Sequence, residues 1–136
     1  MYKELRKIKV LSKLNNKFVR YSLVGIIGTF IHLSILTVFV EVLHYEPVIS
    51  SANGFIFTVV ISYYLNYKWT FKAKSSHRFA LPRYIAVSLM GLCLNTAILF
   101  FTVNLLQLWY GIGQAIAVVT IPLHNFILNS YWAFKE

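Results

Sequence analysis

The sequence has no aspartate and only four glutamates in 136 residues, and between Glu46 and Glu136 it carries no carboxylate side chain at all. A pump built on a membrane-embedded acid is not available over that stretch, so any proton coupling would have to rest on histidine. Cys93 is the single cysteine, which excludes an internal disulfide and a thiolate metal cluster. No Gly-rich phosphate loop, no metal-ligand cluster and no nucleophile beside a base is present, so no catalytic residue, metal or cofactor is expected. Charge of either sign is scarce, at 12% of residues against 58% hydrophobic, a balance that a soluble domain of this length does not carry.

The charge that is present is basic, with thirteen Lys and Arg and a formal net charge of +9. In a soluble chain that excess would suggest nucleic acid, but here its distribution points to a membrane and no nucleic-acid partner is expected. Lys3, Arg6, Lys7, Lys9, Lys13, Lys17 and Arg20 precede the first apolar run; Lys68, Lys72, Lys74, Arg78 and Arg83 separate the second from the third; Lys135 follows the fourth. The runs lie at about 21–43, 48–67, 84–106 and 112–131, each near the ~20 residues that span ~30 Å of hydrocarbon.

The connectors at 44–47 and 107–111 hold no Lys or Arg. By the positive-inside rule, the N-terminus, middle loop and C-terminus therefore lie in the cytoplasm. Tyr63, Tyr64, Tyr67, Trp69 and Trp132 form the inner aromatic belt, and Tyr45, Trp109 and Tyr110 the outer one. The first run is too long for the apolar core of a secretory signal, lacks a small-residue cleavage site after it, and reads as a retained helix. The fold class expected is an all-α protein of the cell (cytoplasmic) membrane with four transmembrane helices, surrounded by membrane lipid.

The sequence also repeats itself. An ungapped offset of 63 aligns Arg20 to Lys72 with Arg83 to Lys135 and matches fifteen of 53 positions. Apolar matches come cheaply between membrane helices, whereas Arg20-Tyr21 with Arg83-Tyr84, Gly28 with Gly91, and the shared Leu-Asn-x-x-Trp-x-Phe-Lys string do not. Each copy has two spans, so both keep one orientation, as parallel repeats about an axis along the membrane normal. The organisation expected is a basic segment at 1–17, repeat 1 at 18–72, a cytoplasmic loop at 73–82 and repeat 2 at 83–136.

Equal orientation puts equivalent residues at equal depth. Arg20, Arg83, Asn66, Asn129, Trp69 and Trp132 fall at the cytoplasmic headgroup level, with Ser62 and Asn125 one turn deeper. His32 and its mate Asn95 lie about 18 Å beyond the arginines, near the midplane. Gly25, Gly28, Thr29 and His32 share one face of the first helix, as Ser88, Gly91 and Asn95 do on the third. Pro122 takes the N–H that would bond the Val118 carbonyl and stands where the second helix has Val59, so the fourth helix is the one expected to kink.

Each feature has a structural and a functional reading. Arg20 and Arg83 can anchor helix ends by snorkelling, or use the guanidinium fork on a lipid phosphate, which Lys matches less well. The asparagines and Ser62 can be interhelical glue or can line a groove for sugar hydroxyls, since Asn both donates and accepts. Trp69 and Trp132 serve the belt or a sugar face. His32 is a satisfied imidazole or a functional intramembrane group. His124 neighbours Asn125 but projects from another face and reads as structural.

Taken together, Arg-Tyr-Ser-Leu-Val-Gly-x-x-Gly-Thr-x-x-His opening the first span, Tyr64 to Lys72 closing the second and Asn125 to Lys135 closing the fourth resemble the GtrA-like family over about residues 18–135. That family often carries Asp where His32 stands and Arg where Tyr67 and Ser130 stand, so the inner basic layer here is thinner, leaving Lys68 with Arg20 and Arg83. The resemblance implies flipping of a polyprenyl-phosphate-linked sugar to the outer leaflet, for polysaccharide or teichoic-acid glycosylation, beside a membrane glycosyltransferase. Alternatives are a non-transporting assembly subunit that positions the glycosyltransferase, and a small multidrug-type exporter, which wants a membrane Glu that the spans lack. Four helices are few to enclose a sugar headgroup, which points to a homo-oligomer.

Overall fold

The computed structural model describes residues 1–135, with the side chains of 47 and 48 excepted; Glu136, the last residue of the expected second repeat, lies outside the described residues. Within them the chain is all helical and forms two compact units, Met1–Lys72 and a second beginning at Ala73. Each unit is a helical hairpin. In the first, α1 (Tyr2–Thr37) and α2 (Pro47–Leu65) pack together; in the second, α3 (His77–Phe100) packs on α4 (Tyr110–Leu128). Three helical rods among the described residues are long and apolar enough to cross a membrane: Tyr2–Val42, His77–Leu105 and Tyr110–Ala133.

Every helix ends the same way. One five-residue π turn follows each: Val38–Val42, Asn66–Thr70, Phe101–Leu105 and Asn129–Ala133. The amides of Leu43, Phe71, Leu106 and Phe134 reach back five residues to the carbonyls of Val38, Asn66, Phe101 and Asn129. The hairpin connectors then reverse through a left-handed residue, His44 (φ 57°) in one and Gln107 (φ 52°) in the other. That conformation costs a non-glycine residue about 1–2 kcal/mol. It lets Tyr45 N–H reach the Phe39 carbonyl at 2.9 Å and Leu108 N–H reach that of Thr102 at 3.0 Å, satisfying groups that would otherwise be orphaned at the helix end.

Two boundaries differ from the sequence reading. The basic segment at 1–17 is not separate from the first span: α1 runs unbroken from Tyr2, because nothing in it breaks a helix and hydropathy marks solvent rather than helix. The loop expected at 73–82 is helical from His77, where the Ser76 hydroxyl accepts from the Arg78 amide at 3.4 Å. α4 continues as helix on both sides of Pro122.

The contact face of α2 carries small and polar residues at a period of four. Ser50, Gly54, Ser62, Asn66 and Thr70 are all buried, with Thr58 half-buried. On α4 the buried residues Gly113, Ala117, Asn129 and Ala133 follow the same period. Rows at i±4 are the ridges by which helices interlock, and small side chains on them let the backbones close up. Val24 and Gly28 of α1, and Val87 and Gly91 of α3, form the facing rows. Hydroxyls away from this face bond four residues back, as Thr29 does to Gly25, Ser34 to Phe30 and Thr96 to Leu92. These bonds satisfy the hydroxyls without a water or a partner helix.

Candidate functional site

At the end of unit 1 that holds the α2 terminus, Arg20 Nη1 donates to the Trp69 carbonyl oxygen at 3.2 Å. That carbonyl belongs to the π turn that follows α2, at the end of the helical rod where carbonyls lack a following amide, and the cation also complements the negative end of the helix dipole. The guanidinium carbon sits 5.6 Å from the centre of the Trp69 ring. Next along the chain, Tyr21 meets Phe71 edge-on at 6.2 Å. Lys17 Nζ lies 5.9 Å over the Phe71 ring.

Unit 2 builds the same arrangement from its own residues. Arg83 Nη1 donates to the Trp132 carbonyl oxygen at 3.3 Å, and Tyr84 packs on Phe134 at 5.7 Å. The duplicated Arg-Tyr and Trp-x-Phe pairs, read separately in the sequence, are therefore the two sides of one contact. One N–H of each guanidinium is spent on it, and four of the five remain for a ligand or for other groups. Trp69 and Trp132 are 40% and 42% exposed, and in both units the hydrogen bond goes to the tryptophan carbonyl.

Beneath the arginines, Asn66 and Asn129 are each 1% exposed, deeper in the hairpins than a wall of an open groove. Ser62 and Asn125 occupy glycine notches. A Cβ on Gly28 would lie 2.8 Å from Ser62 Oγ, and one on Gly91 would lie 2.7 Å from Asn125 Oδ1 and 2.8 Å from Nδ2. Hydrogen at positions 28 and 91 leaves the space that these polar side chains occupy in their present rotamers. Beside the first notch, Thr58 Oγ1 donates to the Gly28 carbonyl at 3.2 Å.

His124, expected to project away from Asn125, is joined to it: His124 Nδ1 lies 3.0 Å from Asn125 Oδ1. Consecutive Cα positions differ by about 100° around a helix, but both side chains are long enough to close that gap. If Oδ1 accepts from the imidazole, the amide nitrogen is left to donate. His32 is half-buried and packs against Gly54, where a Cβ would come within 3.1 Å of the His32 carbonyl and 3.2 Å of Nδ1. Asn95 is half-buried in unit 2.

The sequence reading missed the four-residue ladder on α2 with Gly54 and Thr58, and the link between His124 and Asn125. The ladder was open to inspection as Ser50, Gly54, Thr58, Ser62, Asn66 and Thr70. The histidine contact had no signal in spacing.

A family profile described as "GtrA/DPMS, transmembrane domain" matches residues 20–134. A bactoprenol-linked glucose translocase of Shigella phage SfV is 29% identical over 75 residues, covering 55% of this chain and 60% of that protein. A prophage bactoprenol-linked glucose translocase homolog of Escherichia coli (strain K12) is 32% identical over 59 residues, covering 43% and 49%. A bactoprenol-linked glucose translocase of Shigella phage SfII is 30% identical over 59 residues, with the same 43% and 49%. The matched segments span about half the length of these relatives.

Proposed function

The chain belongs to the GtrA/DPMS transmembrane domain family, and on that premise we propose that it carries a polyprenyl-phosphate-linked sugar from the cytoplasmic to the outer leaflet. It is a multi-pass membrane protein. Our reading adds a fourth crossing at α2, whose rod Pro47–Thr70 is about 36 Å long. It also places both termini in the cytoplasm and treats the two units as parallel repeats. Element boundaries at a constant offset of 63, from Thr37 and Phe100 to Thr70 and Ala133, support the repeat.

The observation that carries the reading is the arginine held twice by a helix-end carbonyl, Arg20 by Trp69 and Arg83 by Trp132. A guanidinium fixed through one N–H keeps its remaining donors oriented, which suits the bidentate recognition of a phosphate at headgroup depth. The relatives named as bactoprenol-linked glucose translocases support a ligand of this chemistry. Asn125, His32 and Asn95 are half-buried and offer polar groups along the hairpins, whereas Asn66, Asn129 and Ser62 are buried within them. Each sugar hydroxyl stripped of hydrogen bonds in hydrocarbon costs a few kcal/mol, and such groups offset part of it. Trp69 and Trp132, both partly exposed, stand at the level of the phosphate in this reading.

Consumption of the product in the outer leaflet makes net flipping run downhill, so the shortage of carboxylates is no obstacle. The transport reading is tested with purified protein in proteoliposomes and a labelled polyprenyl-phosphate sugar. Protein-dependent exposure of the label to an impermeant reagent is the expected result. Protein that moves no lipid but restores surface glycosylation only when bound to a glycosyltransferase would replace transport with the assembly role.

A further inference from the structure

Although the repeats align without a gap, the ends that hold their arginines differ in charge. Lys17 and Arg20 stand one turn apart on the same side of α1, and both reach the end of the α2 rod. Lys17 Nζ lies 5.9 Å over the Phe71 ring, and Arg20 Nη1 donates to the Trp69 carbonyl at 3.2 Å. At the offset of 63, Lys17 is replaced by Ala80, and Lys13, one turn further back, by Ser76. Ala80 is 0% exposed, and Tyr84 and Phe134 are each 5% exposed. Unit 2 thus closes with apolar packing at the place where unit 1 keeps an ammonium beside the half-buried Tyr21 and Phe71. The acid nearest to Lys17 in sequence, Glu4, is about 20 Å back along α1. It is paired with Lys7 at 3.2 Å and does not neutralise the two cations.

We propose that the two repeats are built for phosphates of different charge. Lys17 with Arg20 takes the end of a prenyl phosphate monoester, the carrier without its sugar, whereas Arg83 matches the single charge of the sugar-bearing phosphodiester. A monoester carries about −1.5 to −2 charges at pH 7, and esterification on both sides leaves the phosphate with one. Lys17 meets Phe71 through the ring face and keeps its N–H donors. A point charge beside a guanidinium fork suits a terminal phosphate with three free oxygens, one more than the diester offers. The proposal rests on the reading that the chain handles a polyprenyl-phosphate-linked sugar, and adds that unit 1 also holds the lipid left after the sugar is used. Transfer of the sugar to an acceptor hydroxyl breaks the bond between sugar carbon and phosphate oxygen. The hydroxyl proton is released and the lipid keeps its phosphate as the monoester.

The test measures binding of radiolabelled farnesyl phosphate to the full chain in detergent by scintillation proximity. Unlabelled farnesyl phosphate, its methyl ester and inorganic phosphate serve as competitors. The monoester should displace the label at about tenfold lower concentration than the methyl ester, the equivalent of one charge-assisted hydrogen bond. Lys17→Gln should remove most of that preference and Lys17→Arg should restore it, while Lys74→Gln, which removes an exposed basic charge elsewhere, should leave it intact. A preference that survives Lys17→Gln, or that Lys74→Gln removes as fully, would overturn the proposal. So would displacement by inorganic phosphate at the same concentration as the monoester, because the site would then bind the anion without its lipid. Preference for the monoester in a parental protein that transfers no sugar lipid in proteoliposomes would end the transport reading and leave the difference between the repeats in place.

Discussion

Gly91 of α3 and Asn125 of α4 occupy one volume: a methyl group on Gly91 would overlap the Asn125 amide, at 2.7 Å from Oδ1, 2.8 Å from Nδ2 and 3.2 Å from Cγ. Gly28 and Ser62 stand in the same relation in the first unit, at 2.8 Å, with Thr58 Cγ2 at 3.1 Å. Glycine at these two positions leaves the room that Ser62 Oγ and the Asn125 amide fill in their present rotamers, whereas Gly25 has no atom within 4 Å of its would-be Cβ.

Gly28→Ala and Gly91→Ala should each lower the thermal unfolding midpoint of the detergent-purified protein, reflecting a cost of about 1–3 kcal/mol for overpacking. Gly25→Ala, which adds helix propensity in open space, should leave the midpoint unchanged or raise it by up to about 1 kcal/mol in stability. Equal loss at positions 25, 28 and 91 would contradict the notches.

Arg20→Lys and Arg83→Lys keep the charge but lose the fork. Transfer of a labelled polyprenyl-phosphate sugar in proteoliposomes should fall about tenfold for each, the equivalent of one charge-assisted hydrogen bond. Abundance and insertion should hold. Parental transfer by both lysine variants would remove the arginines from phosphate binding and leave them as caps on the ends of α2 and α4.

His124→Leu removes the group that holds Asn125 Oδ1. Transfer should drop by about fivefold, near the value of one neutral hydrogen bond, and His124→Gln, which retains a donor, should recover part of it. An unchanged rate in the leucine variant would show that the orientation of Asn125 does not matter to transport.

Topology is read in intact cells with an impermeant thiol reagent in a Cys93→Ala background. Tyr45→Cys, in the connector between α1 and α2, should be labelled, and Ser76→Cys, in the segment before α3, should not. Labelling at position 76 would reverse the orientation inferred from the basic residues.

By itself the sequence determined that the chain is helical and membrane-embedded, and it carries a recurrence of residues at a fixed offset. Solvent preference is a property of each residue type: apolar runs near 20 residues, basic residues withheld from 44–47 and 107–111, and a 63-residue offset are all visible without coordinates. Helix extent was less legible. Residues 1–17 read as a basic segment apart from the first span because hydropathy is low there, yet the helix of α1 runs through them from Tyr2. Only the tertiary structure decided which repeated residues touch. Arg20 and Trp69 are 49 positions apart, and their contact depends on the rotation of α1 about its axis, on where the π turn leaves the Trp69 carbonyl and on how closely Gly28 lets α2 approach. Those are joint properties of two helices, fixed by interlocking side chains, and no single helix encodes them.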